Sequence, residues 1–135
     1  MQIDQVELTY LALSDYKDLV DAMKAAYPAM PDDHWELEQL KRLIERFREG
    51  QVVIKVDGKL AGCALSIRVK ESTYNSIHTY NDIIADYSFD THSDEGDLLY
   101  GIEIFIKPEF RGLRLGRRLY DYRKELCKKL NLKAI

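Results

Sequence analysis

Hydrophobic positions along this 135-residue chain switch between a two-residue and a helical period, and the switches mark out its elements. Val6 to Ala12 is rich in β-formers and predicts a first strand. Ser14-Asp15 is a helix N-cap signal, and Leu19, Val20, Met23 and Ala26 follow at helical spacing as far as Tyr27-Pro28. Pro28 and Pro31 bracket a short break. Asp33 and Glu36 have capping-box spacing, with Asp in place of Ser or Thr. Leu40, Leu43, Ile44 and Phe47 then line one face of a second helix, which Gly50 stops.

Val52 to Val56, the pair Asp57-Gly58, and Lys59 to Val69 predict a β-hairpin, because Asp-Gly tolerates the positive φ angles of a type I′ turn. In its second strand Ala61, Cys63, Leu65, Ile67 and Val69 alternate with Gly62, Ala64, Ser66 and Arg68, which predicts one largely apolar face. Residues 70–98 are polar and aromatic. Thr79 caps a short predicted helix over Tyr80 to Ala85, and the rest reads as a long loop of the kind that is usually functional or mobile. Leu99 to Ile106 predicts the next strand. Leu115 to Leu130 predicts the last helix, with Leu115, Leu119, Tyr122, Leu126 and Leu130 as its apolar stripe, and Leu132 to Ile135 begins another strand. The order β-α-α-β-β-β-α-(β) describes an α+β domain on a mixed sheet, and we expect a single domain over 1–135.

Composition adds limits. At 46% apolar and 32% charged residues the chain reads as an ordinary globular protein. It has no run of eighteen apolar residues, and Met1 to Gln5 lacks the basic and apolar pattern of a signal peptide. Cys63 and Cys127 sit among apolar neighbours and read as reduced and buried. These features together predict a cytoplasmic protein. No Cys/His cluster has metal-ligand spacing, so no metal is expected. Net charge is −3, but residues 1–106 carry −10 and residues 107–135 carry +7. An acidic body with one local basic region argues against nucleic acid and for a small polyanion.

That basic region holds the most informative stretch, Lys107 to Tyr120. A β-like run stops at Pro108, a loop rich in Gly and Arg follows, and a helix starts. Strand, cationic loop and helix N-terminus together make an anion site, where unpaired N–H groups and the helix dipole favour negative charge. The residue types fit a pyrophosphate better than a metal. A plain turn with a solvated helix start is the other reading. The loop lacks the Lys-Ser/Thr ending of a P-loop and the three-Gly dinucleotide pattern.

The stretch resembles the acyl-CoA-binding signature of the GNAT acetyltransferases, Arg/Gln-x-x-Gly-x-Gly/Ala. Arg111 and Gly116 match, and Arg114 stands at the middle Gly position, where its side chain would supply charge. The turn Asp57 to Gly62 resembles the family's hairpin, and the element order resembles the first two thirds of its fold. Tyr100 to Ile135, with His78 to Tyr80 and Glu95 to Glu103, is similar to a bacterial subgroup in which a GNAT module precedes a carbon–nitrogen hydrolase domain. A complete GNAT domain would continue Leu132 to Ile135 into a fifth strand, a helix and two more strands. A sheet half formed at that point would leave an open edge, so weak monomer stability or self-association as a homodimer is expected.

The resemblance implies transfer of an acetyl group from acetyl-CoA to a small-molecule or peptide amine by direct attack. The alternative is a non-catalytic acyl-CoA-binding module that regulates an attached carbon–nitrogen hydrolase. It implies that the backbone of Ile104 and Ile106 bonds the pantetheine amides, and that the N–H groups of Gly112, Leu113, Arg114, Leu115, Gly116 and Arg117 hold the pyrophosphate. Arg111, Arg114 and Arg117 would add charge. A Cβ at 116 would clash with a phosphate or strain the turn. The family's base position falls on Tyr100. Glu103, three residues on, is a carboxylate in an apolar run, which is costly without partners. It is a candidate for a catalytic or acceptor-binding role, with an edge-facing or salt-bridged Glu as the other reading. The family's usual general acid has no counterpart in 1–135. Tyr120 and Tyr122 read as packing, His34 beside Trp35 as helix-start surface, and His78 and His92 as loop residues that face either an acceptor or solvent. The run Asp82, Asp86, Asp90, Asp94, Glu95 and Asp97 either attracts a cationic acceptor or is a solvated acidic loop.

Overall fold

The hairpin organises the sheet. Asp57 and Gly58 both adopt positive φ (49° and 81°), as a type I′ turn requires, and join β2 (Val52–Val56) to β3 (Lys59–Val69). A computed structural model describes residues 5–30, 32–76 and 79–134; Met1–Asp4, Pro31, His78 and Ile135, all used in the sequence reading, lie outside them. β1 (Val6–Tyr10) pairs antiparallel with β2, and β3 pairs antiparallel with β4 (Leu98–Ile106). β5 (Lys133–Ala134) pairs parallel with β4 at Leu98 and Leu99, giving one five-stranded sheet in chain order.

Helices cover both faces. On one lie α1 (Tyr16–Ala26) and α2 (Leu37–Phe47), whose Leu19, Met23, Leu40 and Leu43 pack on Cys63, Leu65, Ile67 and Val69. On the other lies α5 (Leu115–Leu130), whose Leu115 and Leu119 pack on Val52, Ile54, Ala61 and Ala64. β3 is therefore buried on both sides rather than on one. Its alternate positions are small because α5 needs room there. At Gly62 an added Cβ would meet the Phe105 carbonyl oxygen at 2.4 Å.

Between β3 and β4 the chain forms α3 (Glu71–Ser76) and α4 (Tyr80–Ile83), with Thr79 capping α4 by accepting from Asp82 N at 3.0 Å. Ile83, Ile84 and Phe89 anchor this segment in the core. The sequence reading left α3 unassigned because its residues Glu71 to Ser76 bury no side chain and carry no apolar stripe. The capping box of α2 also sits three residues later than expected. Glu36 is the N-cap, and Gln39 accepts from Glu36 N at 2.9 Å, because Trp35, only 5% exposed, belongs to the core and holds the chain extended there. Gly50 follows α2 as expected, but for space: a Cβ would fall 2.4 Å from the Phe47 ring.

β4 positions the site. Its register with β3 runs Leu65 to Glu103 and then Ser66 to Gly101, so Ile102 is an extra residue, a β-bulge. Its outer edge is paired with β5 only at Leu98 and Leu99.

Candidate active site

Two regions lie along that outer edge, separated by the three residues from Glu103 to Ile106, or about 10 Å of extended strand.

The first is the start of α5. After β4, a 3-10 turn at Pro108–Phe110 buries Phe110, and Gly112 turns the chain at φ 86°. Arg114, the N-cap, is left-handed at φ 60° and ψ 28°, the backbone for which glycine is better suited. The first helical bond runs from Arg118 N to Arg114 O at 3.3 Å, and no side chain caps the end. The N–H groups of Leu115, Gly116 and Arg117 thus have no α-helical acceptor. A cavity of about 390 Å³ opens over them, lined by Ile106, Phe110, Arg111, Gly112, Arg114, Leu115, Gly116 and Arg117. Among the described residues no carboxylate lines it. Gly116 has ordinary helical φ, and a Cβ there would meet nothing within 4 Å. The expected strain at 116 is therefore absent, and neither φ nor packing accounts for its glycine. The space beside its Cα is open. Donors, three arginines and an open glycine suit a pyrophosphate.

The second region is centred on Glu103. The bulge turns its side chain toward the α1–α2 connection. There Tyr27 Oη donates to Oε2 at 3.1 Å, Trp35 Nε1 donates to Oε1 at 3.4 Å, and the Ile104 N–H contributes a third bond. Burial pushes the carboxyl above its ordinary value, the three bonds oppose this, and the negative charge of Asp33 adds to the rise. All three donors are neutral, so the salt-bridged reading of Glu103 does not hold. Burial first, and the Glu103 charge second, push the Tyr27 phenol up to about 12, so it stays a donor. A cavity of about 370 Å³ adjoins Glu103, walled by Trp35, Tyr80 and Tyr87 and rimmed by Asp32, Asp33 and Glu36.

Behind the strand, Arg123 of α5 donates to Leu65 O at 2.9 Å and to Glu103 O at 3.0 Å, clamping the strand pair where the bulge interrupts it. Gly101 makes the room, since a Cβ there would lie 2.9 Å from the guanidinium. Helix α5 thus touches both regions.

Of the residues singled out by sequence, Ile106 and Arg111 to Arg117 lie around the first region, except Leu113, which is exposed and not in the lining. Ile104 is the residue next to Glu103. Tyr100 does not line the Glu103 cavity; its ring lies 6.4 Å from those of Tyr74 and Tyr80. Tyr122 packs as expected and donates to Glu49 O at 2.6 Å. His92 is neither at the cavity nor solvated: Nδ1 accepts from Arg68 N at 3.1 Å, the ring stacks on Phe47, and Asp94 bonds Nε2. None of the six acidic loop residues from Asp82 to Asp97 lines the Glu103 cavity. Sequence reading missed Tyr27, Trp35, Tyr80 and Tyr87. The usable signal was a lone Trp just after the Pro28–Pro31 break, which has no reason to be surface.

A family model described as the acetyltransferase (GNAT) family matches residues 16–135. Among curated relatives, a probable hydrolase of Bacillus subtilis, YhcX, is 35% identical over 121 residues, which are 90% of this chain and 23% of that protein. An uncharacterized N-acetyltransferase of the same organism, YkwB, is 25% identical over 115 residues, 84% of this chain and 51% of that one. The chain thus spans about a quarter and a half of these relatives. Among solved structures, the loading GNATL domain of CurA from Lyngbya majuscula superposes with a TM-score of 0.74 at 19% identity, over 92% of this chain and 59% of that one. The GphF GNAT-like decarboxylase, in complex with isobutyryl-CoA, gives 0.70 at 17% identity, over 86% and 56%. Among the described residues no cluster of His, Cys, Asp or Glu has the makings of a metal site, and no helix is long and apolar enough to cross a membrane.

Proposed function

The chain belongs to the GNAT acetyltransferase family, and from that premise we propose that it transfers an acetyl group from acetyl-CoA to a primary amine by direct attack in a ternary complex. The observation that carries this reading is the placement, on one strand edge, of a donor-rich cationic helix start and a half-buried carboxylate of raised pKa. We assign the pyrophosphate to the N–H groups of 112–117, with Arg111, Arg114 and Arg117 adding charge, and the pantetheine to the backbone of Ile104 and Ile106. The thioester supplies the activated acyl group. Glu103 takes one proton from the bound ammonium. The freed nitrogen forms the C–N bond as the C–S bond breaks, and its second proton leaves with the sulfur as the thiol. Tyr100 is a positioning residue in this scheme, acting through Tyr80, whose hydroxyl donates to the carbonyl of bulge residue Ile102 at 3.3 Å.

A second reading is favoured by one finding, the 35% identity to a protein named a probable hydrolase that is more than four times longer than the matched segment. It is an acyl-CoA-binding module that regulates a carbon–nitrogen hydrolase. Thiol release from acetyl-CoA and isobutyryl-CoA, with a panel of amines, separates the two. An acetyltransferase releases thiol only with an amine present, and Glu103→Gln lowers kcat by about 10²-fold or more while CoA affinity holds. Acyl-CoA binding with no amine-dependent release from the wild type would leave the regulatory reading.

A further inference from the structure

The walls of the Glu103 cavity carry more information than the site needs for a simple amine. Four acidic residues line it: half-buried Glu103 at the base and exposed Asp32, Asp33 and Glu36 at the rim. Among the described residues no lysine or arginine lines it; His34, read above as helix-start surface, does line it, with Nδ1 bonded to Trp35 O at 3.0 Å, and none of the four carboxylates forms an ion pair. The charges sense each other, since the Asp33 field reaches Glu103. Between base and rim stand the rings of Trp35, Tyr80 and Tyr87, with Trp35 edge-on to Tyr87 at 5.5 Å. Two acidic residues of the 79–97 segment have partners away from the cavity: Asp90 with Arg46 and Asp94 with His92.

One neutralised carboxylate suffices to take a single ammonium. Glu36 is held at the α2 N-cap, and the rim presents Asp32 and Asp33 beside it to a second cation on the acceptor. Aromatic walls between the two ends suit methylenes, and their faces attract ammonium. A carboxylate on the acceptor would be repelled. We propose that the acceptor is a linear aliphatic diamine or polyamine, its reacting amine at Glu103 and its distal ammonium at the Asp32–Asp33–Glu36 rim. This rests on the acyl-transfer reading above and names the substrate class of that site.

The test compares 1,4-diaminobutane, n-butylamine and 4-aminobutanoate as acceptors with acetyl-CoA. The diamine is expected to exceed n-butylamine in kcat/KM by about fivefold or more, the size of one exposed ion pair at its upper range, and 4-aminobutanoate to fall below both. The diamine preference shrinks toward one as salt is raised, and also in Asp33→Asn/Glu36→Gln, whose sites are exposed. Equal use of diamine and monoamine by the wild type would overturn the proposal while leaving acyl transfer standing. If no amine is acetylated, the acyl-transfer reading fails instead, and calorimetric titration of 1,4-diaminobutane decides. Saturable binding weakened in the rim variant supports the site, and no binding overturns it.

Discussion

A carboxylate inside an apolar strand needs partners, and Glu103 finds only neutral ones in Tyr27, Trp35 and the Ile104 N–H. Because its folded pKa is raised, the folded state holds this proton more tightly than the unfolded chain. The stability it contributes is complete below 4.5, the ordinary value, and is lost as pH rises through the folded value. Glu103→Gln should therefore unfold at a higher temperature than wild type at pH 7, while being catalytically impaired. If Glu103 is the base, the acid limb of the kcat profile lies above the ordinary carboxylate range. Tyr27→Phe removes a bond that favours the charged form, so that limb should move to higher pH, with the alkaline plateau nearly kept. A limb unmoved in Tyr27→Phe would remove Glu103 from the reaction. Arg114 is the other telling residue. Its left-handed backbone costs a non-glycine residue about 1 kcal/mol, so Arg114→Gly should stabilise the fold by a similar amount in denaturant titration, although it removes a charge from the loop.

Elements with strong periodicity were legible in the sequence, and those held by distant contacts were not. α5 spans Leu115–Leu130 as its stripe predicts, because Leu115, Leu119 and Leu126 all face the sheet. Leu119→Ala, at a fully buried position, should cost about 2–5 kcal/mol. The 79–97 segment was opaque for a physical reason. Ala85, Asp86, Tyr87 and Phe89 are all left-handed without being glycine; burial of Ile84 and Phe89 imposes that path, which local propensity does not announce. His92 ties the segment to β3 and α2. Burial lowers its pKa below 6.5 despite Asp94, so its contribution to stability is present above 6.5 and is lost as pH falls toward the lower folded value. Thermal unfolding between pH 7.5 and 5 should show this loss in wild type, and His92→Gln should flatten it. The bulge at Ile102, which aims Glu103, left one signal in the sequence, the mid-strand Gly101 beside it, and an isolated strand glycine marks a close backbone approach as readily as a bulge.

At the scale of the molecule, a sheet edge carries a cationic, donor-rich helix start at one end and an acidic aromatic cavity at the other. The charge split of −10 and +7 already pointed to this polarity, and the Gly-Arg loop to its basic pole; the acidic pole depended on Trp35 and Tyr80, whose roles appear only once the chain is folded. The central claim is that the α5 start holds acyl-CoA, and Gly116→Asp tests it most directly. The position is open and near a helix N-terminus, so an aspartate there favours the helix while placing a carboxylate where the phosphates would lie. Acetyl-CoA should bind the wild type saturably by calorimetry and bind Gly116→Asp at least about tenfold more weakly, one phosphate contact being charge-assisted, while the variant's melting temperature is equal or higher. Equal affinity in the two proteins, or no binding to a wild type that is folded, would contradict the account.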